Sequence, residues 1–338
     1  MTIVHSPEEN ETAVKVQMDG LKKHFTLNDS FIEKLVGHES KVVKAVDGVS
    51  FEIQEGESFG LAGESGCGKT TLSKTLLGLY EPTEGNIRFD DHTVTEEFRN
   101  SKEFRAEAQI IHQNPYGSIN PGFSVRRWLK EPLDIHGYGT KEERRNQVHE
   151  TLERVGLEPA EVYVNKFPSE LSGGERQRVG IARAIILNPS FLVGDEPVSM
   201  LDVSARASIL DLLKGLQNDL GLASLYISHD LSMLKYMCDR IGIMYLGKLV
   251  ELGPTSKIIN NPKHPYTQTL VGSTPVIDPD SDREIVELTG DVPDPVNIPS
   301  GCRFAPRCPE VMKECHQAEP PMYDIESDHV ARCILYDD

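Results

Sequence analysis

Positive charge is scarce in this sequence. Among 338 residues, Lys and Arg number 35 against 53 Asp and Glu, a formal net charge of −18. Nucleic acid or an anionic bilayer as main partner requires a basic footprint, so this balance argues against both. Long apolar runs are also missing: no stretch approaches the ~18 consecutive apolar residues of a membrane-spanning helix. The first 30 residues hold no basic segment followed by an apolar run. No secretory signal is therefore expected, and the protein is expected to stay in the cytosol unless a partner holds it elsewhere. No internal repeat is visible, which points to one module per chain. Cysteine is nearly absent from the first 300 residues, where only Cys67 and Cys238 occur. Four more, Cys302, Cys308, Cys315 and Cys333, crowd into the last 37 residues. In a reducing compartment such a cluster reads as metal binding before disulfides.

What is present suffices for a folded core: 38% of residues are hydrophobic and 26% charged, which excludes a disordered chain. At ~150 residues per domain the length fits about two domains, or one large domain with an appendage. Residues 1–13 are polar and read as a loose tail. Residues 14–25 and 42–53 read as strands, with a polar loop over 28–40 between them. Short apolar runs recur at 108–112, 190–195, 222–228 and 240–246, separated by helical stretches. The clearest helix is 141–156, where Thr140 and Glu143 form a capping box and Val148, Leu152 and Val155 mark one apolar face. Strands alternating with helices imply an α/β core with a largely parallel sheet. Gly247 and Lys248 read as a hairpin turn, and residues 275–300, rich in Pro, Asp and Glu, as a linker.

Residues 63–70 match G-x-x-x-x-G-K-[ST], a phosphate-binding P-loop. Phosphate oxygens need several backbone N–H groups at close range, so Gly63, Gly66 and Gly68 carry no side chain to block them. A plausible strand precedes the loop. The helix starting near Lys69 aims its positive end at the anion. Lys69 is expected to reach the β- and γ-phosphates and Thr70 to bind Mg²⁺. A second carboxylate for the metal is expected after a short apolar strand, and Asp195 supplies it. The adjacent Glu196 is the expected general base for the attacking water.

Residues 171–178, from Leu171 through Ser172, Gly173 and Gly174, resemble the signature motif of ATP-binding cassette (ABC) ATPases. The order of the other motifs is similar to that family over residues 14–253. Gln113 resembles the Q-loop glutamine, residues 199–202 ending at Asp202 the D-loop, and His229 the switch histidine. Phe25 stands where the family has an aromatic that stacks on adenine. The resemblance implies an ABC core of mixed sheet with an antiparallel β subdomain, a helical subdomain at about 98–185, and a small Cys-rich C-terminal extension over 254–338. It implies an ATP site of Phe25, Gly63, Glu64, Ser65, Gly66, Cys67, Gly68, Lys69, Thr70 and Thr71, with Thr70, Gln113 and Asp195 at Mg²⁺ and Glu196, His229, Gln113 and Lys69 in catalysis. It implies head-to-tail pairing, each ATP held between one P-loop and the other subunit's Ser172, Gly173, Gly174 and D-loop.

Residues 261–267 and 298–309 resemble the C-terminal region of oligopeptide/dipeptide importer ATPases, most of all the second ATPase subunit of those systems. The implied activity is ATP hydrolysis driving peptide import at the cytoplasmic face of the cell membrane. The implied partners are two integral membrane permease subunits, a second ATPase subunit (a paralogue or itself) and an extracytoplasmic solute-binding protein, with no nucleic acid. Sister systems for nickel or sugars, and soluble ABC ATPases, are the alternatives; the latter usually carry two cassettes or a long coiled coil, which this chain lacks. The tail cysteines are separated by five, six and seventeen residues, a poor spacing for zinc ribbons. Four thiolates can hold a [4Fe–4S] cluster, as the resemblance implies, or can pack the tail without metal.

Overall fold

The structure is a computed structural model, and it describes residues 13–27, 41–114, 117, 119–273 and 293–337. All but the last residue of the tail expected at 1–13, the loop expected at 28–40 and most of the linker expected at 275–300 lie outside the described residues.

Two sheets organise the molecule. Strands β1 (Val14–Thr26), β2 (Val42–Gln54), β4 (Glu84–Phe89) and β5 (His92–Thr93) form an antiparallel sheet in the order β2-β1-β4-β5. Along β1 and β2, Val16, Met18, Leu21, Val49, Phe51 and Ile53 are buried while polar residues between them face outward, the alternation of a one-sided sheet. The second sheet has eight strands in the order β11-β12-β10-β9-β3-β8-β7-β6. Its centre is parallel: β3 (Ser58–Ala62) lies between β8 (Ala223–Ser228) and β9 (Arg240–Tyr245), and β7 (Phe191–Asp195) between β8 and β6 (Ala108–Ile111). All five residues of β3 and of β7 are buried, as strands covered on both faces must be.

One core fills the space between the two sheets around helix Lys69–Leu76, with Phe59, Leu61, Leu72, Phe191 and Ile227 at its centre. The other lies under helices Val125–His136, Lys141–Arg154 and Gly173–Ile185. Helix Lys141–Arg154 starts at the expected capping box, with both Thr140 and Glu143 hydrogen bonds formed.

The expected hairpin joins β9 to β10 (Lys248–Pro254), but its corner is Leu246 and Gly247, at φ 41° and 82°, and Lys248 already belongs to the strand. Two positive φ angles match the twist of a tight hairpin. The C-terminal chain closes the sheet: β12 (His329–Ala331) pairs with β10 and β11 (Tyr323–Glu326) with β12. Phe304, 1% exposed, packs its ring against Tyr245 and Tyr266 at 5.3 and 5.4 Å. No helix among the described residues is long and apolar enough to cross a membrane.

Candidate active site

Four parallel strands point their carboxyl ends at one crevice, where ligands of open α/β sheets bind. Each end supplies one expected group. The loop after β3 is the P-loop, β6 leads to Gln113, β7 ends in Asp195 and Glu196, and β8 leads to His229. The sequence separates these groups by up to 166 residues (229 − 63), and the strand order brings them together.

The P-loop curls around an open pocket of about 370 Å³ lined by Ser65, Gly66, Cys67, Gly68, Lys69, Thr70 and Thr71. Gly68 has φ 110°, and a Cβ there would stand 2.0 Å from the Ala45 carbonyl oxygen, so the loop can pass that strand only without a side chain. Lys69, 6% exposed, donates to the Gly63 and Glu64 carbonyls at 2.6 and 2.9 Å. Helix Lys69–Leu76 begins at the pocket floor, adding the helix-end field that favours phosphate. Phe25 lines the pocket mouth, half-buried, its ring edge-on to Tyr80 at 5.6 Å.

The hydrolytic side of the pocket centres on Glu196. Gln113 Nε2 donates to its Oε2 at 2.8 Å, and His229 Nδ1 lies 2.9 Å from its Oε1. Glu196 has φ 47°, a costly left-handed conformation for a non-glycine residue. Its backbone is locked there by a hydrogen bond from its N–H to the Ile227 carbonyl at 2.9 Å. Asp195 accepts from the Thr70 hydroxyl at 3.3 Å. Burial is the largest influence on Asp195 and pushes its pKa up; the Thr70 hydroxyl opposes this and the Glu196 charge adds to it. Such a carboxylate gains from a neighbouring cation, and two adjacent hard oxygen donors suit Mg²⁺. Gly194 is required just before it, since a Cβ would meet the buried Tyr226 ring at 2.7 Å.

Several expected residues lie elsewhere. Ser172, Gly173 and Gly174 do not line this pocket: Ser172 caps helix Gly173–Ile185 through a capping box with Glu175. Asp202 caps helix Val203–Leu220 by accepting from the Ala205 N–H at 3.0 Å. Glu64 turns away from the pocket and pairs with Arg307 of the tail, at 2.8 and 3.0 Å. Tyr266 accepts from the Glu64 N–H at 2.9 Å, and Arg303 bonds the Leu246 carbonyl and Asp47, so these residues and Arg307 also belong to the surroundings of the site. Residues 261–267 and 298–309 are marked in the sequence by resemblance, but their contacts with the P-loop are not, because the partners lie far along the chain.

The arrangement of the tail lends no support to a [4Fe–4S] cluster over thiols packed without metal. Among the described residues no three His, Cys, Asp or Glu side chains are placed to hold a metal ion. The tail instead closes on itself: the Cys302 N–H donates to the Cys315 carbonyl at 2.7 Å, and the Cys315 sulfur accepts from the Met312 N–H at 3.4 Å. Burial pushes the Cys308 and Cys333 thiols up to about 11.

A P-loop, a carboxylate pair and a glutamine–histidine set around one glutamate define an ATP-hydrolysing cassette. The family model for the ABC transporter matches residues 46–199, and that for the oligopeptide/dipeptide transporter C-terminal region matches 250–315. The chain is 46% identical to YkfD of Bacillus subtilis (strain 168), provisionally named an oligopeptide transport ATP-binding protein, over 95% of each chain. It is 40% identical to the dipeptide transport ATP-binding protein DppF of Haemophilus influenzae, over 98% of this chain and 99% of that one. Among solved structures, a dimeric ATP-binding cassette in a post-hydrolysis state, bound to ADP and Pi, matches with TM-score 0.61 and 27% identity over 71% of this chain and 98% of that one. The chain belongs to the ABC-transporter ATPases that carry the oligopeptide/dipeptide-type C-terminal region, and it is an ATPase.

Proposed function

We propose that this chain powers peptide import as the ATP-hydrolysing subunit of an ABC transporter, peripheral to the cytoplasmic face of the cell membrane. The observation that carries this reading is the oligopeptide/dipeptide-type region at 250–315 on a chain whose hydrolytic residues are all present. In this reading 14–253 is the ATPase domain with its helical part at about 98–185, and 254–338 the transporter-type extension. Its partners are two membrane permease subunits, a second ATPase subunit (paralogue or self) and an extracytoplasmic solute-binding protein.

Phe25 stacks on the adenine. The backbone N–H groups of 65–71 and the Lys69 ammonium hold the phosphates. Thr70 and Asp195, with Gln113, would hold Mg²⁺, which when bound offsets phosphate charge. Glu196 takes the proton of the attacking water. Gln113 and His229, both within hydrogen-bond reach of Glu196, keep its carboxylate oriented and hold the γ-phosphate end of the site. Ser172, Gly173, Gly174 and Asp202 lie outside their own pocket, which fits their service to the P-loop of a second subunit. A [4Fe–4S] cluster on Cys302, Cys308, Cys315 and Cys333 rests on the C-terminal resemblance alone, against thiols that pack the tail without metal. Anaerobic purification with iron and sulfide analysis tests that part, and folded, active protein without iron would remove it.

The whole reading is tested by purifying the tagged chain from membranes of its native cell. Two integral membrane proteins should accompany it. A chain never found in the membrane fraction would defeat the importer reading.

A further inference from the structure

The extension reaches the nucleotide loop from behind. Arg307 holds the Glu64 carboxylate with both terminal nitrogens, at 2.8 and 3.0 Å, and donates to the Tyr245 hydroxyl at 3.3 Å. Its side chain is 5% exposed and that of Glu64 22%. The Glu64 N–H donates to the Tyr266 hydroxyl at 2.9 Å, and Tyr266 is fully buried against Tyr245. Glu64 is the second residue of the P-loop, directly before the run that lines the pocket. A second strut stands beside it: Arg303 hydrogen-bonds the Leu246 carbonyl and Asp47. Leu246 and Gly247 line the same pocket, and the Gly247 N–H donates to the Cys67 carbonyl at 2.8 Å.

A P-loop needs such support. Its glycines at 63, 66 and 68 all take positive φ, which glycine adopts about as readily as negative φ, so contacts from outside the loop must select this shape. Glycine gives the loop freedom without choosing its shape. A buried guanidinium left without its carboxylate is strongly unfavourable, so Arg307 biases Glu64, and the loop behind it, toward one position.

We propose that Arg307 and Tyr266 are positioning residues for ATP: by fixing Glu64 they hold the P-loop in its phosphate-binding shape, so the C-terminal extension sets nucleotide affinity. The inference rests on the P-loop being the ATP site, which Lys69→Ala tests separately by abolishing binding.

Full-length Arg307→Gln, Glu64→Gln, the double variant and Tyr266→Phe are titrated with a fluorescent ATP analogue, below each variant's unfolding midpoint. Each single change should raise Kd about tenfold, a usual coupling strength, with kcat at saturating ATP moved less than about twofold. The double variant should bind no more weakly than either charge variant, because both remove the same pair. Tyr266→Phe keeps the buried ring and loses only the acceptor, so it guards against a fold defect in the charge variants. Kd unchanged within about twofold in the folded variants, even with lowered thermal stability, would overturn the proposal. So would charge-variant effects that simply add.

Discussion

Glu196 shows how much chemistry rests on one side chain. In the proposed mechanism it takes the proton, and Gln113 and His229 both lie within hydrogen-bond distance of its carboxylate. Glu196→Gln keeps the size and one acceptor oxygen but removes the base. Phosphate release should fall by about 10²–10⁴-fold while ATP binding persists. Turnover near the wild-type rate would exclude Glu196 as the base. At this scale the sequence is a good guide wherever chemistry dictates residue type and spacing, as in the P-loop glycines, Lys69, Thr70 and the Asp195–Glu196 pair. It is silent on Arg307, which meets Glu64 across 243 positions, because nothing local distinguishes a buried, paired arginine from a solvated one.

Elements are held by groups whose value depends on protonation and space. His264 caps helix Pro265–Gly272, its Nδ1 accepting from the Tyr266 N–H at 3.0 Å. That nitrogen must carry no proton. Burial is the main reason its pKa falls from 6.5 to about 4, while the Glu251 carboxylate opposes this and Arg332 adds to it. Between those values the unfolded chain binds the proton and the fold does not. Stability therefore rises with pH across the window and is lost as pH falls through it. About 2 kcal/mol should disappear between pH 7 and 5, read from urea midpoints. His264→Asn keeps a capping acceptor and should flatten this dependence; an unchanged slope would place its origin elsewhere. Crowding supplies a second case. Gly194→Ala forces a Cβ against the Tyr226 ring at 2.7 Å and should cost about 1–3 kcal/mol in denaturant unfolding. A neutral result would mean that the strand can shift. Long apolar strands and capped helices were legible from pattern. Strands β11 and β12 were not: they have four and three residues, and only pairing with β10 makes them strands.

For the whole molecule, the strand ends bring the P-loop, Gln113, Asp195, Glu196 and His229 to one crevice, and the signature residues stand apart from it on their own helix. The fold class was readable because strands alternate with helices along the chain and the motifs follow one another in the order of the family that the sequence resembles. The docking of the tail was not, since it depends on buried contacts between distant segments. If the signature serves a second chain, specific ATPase activity of the purified protein should rise with its concentration, as pairing is a mass-action process. Activity independent of dilution in protein that stays monomeric throughout would show that one chain suffices. The most direct test of the central claim is uptake of a labelled peptide by the native cell after the chain is replaced by its Glu196→Gln form. The account predicts that peptide uptake is lost while uptake of free amino acids is unchanged; undiminished peptide uptake would contradict it.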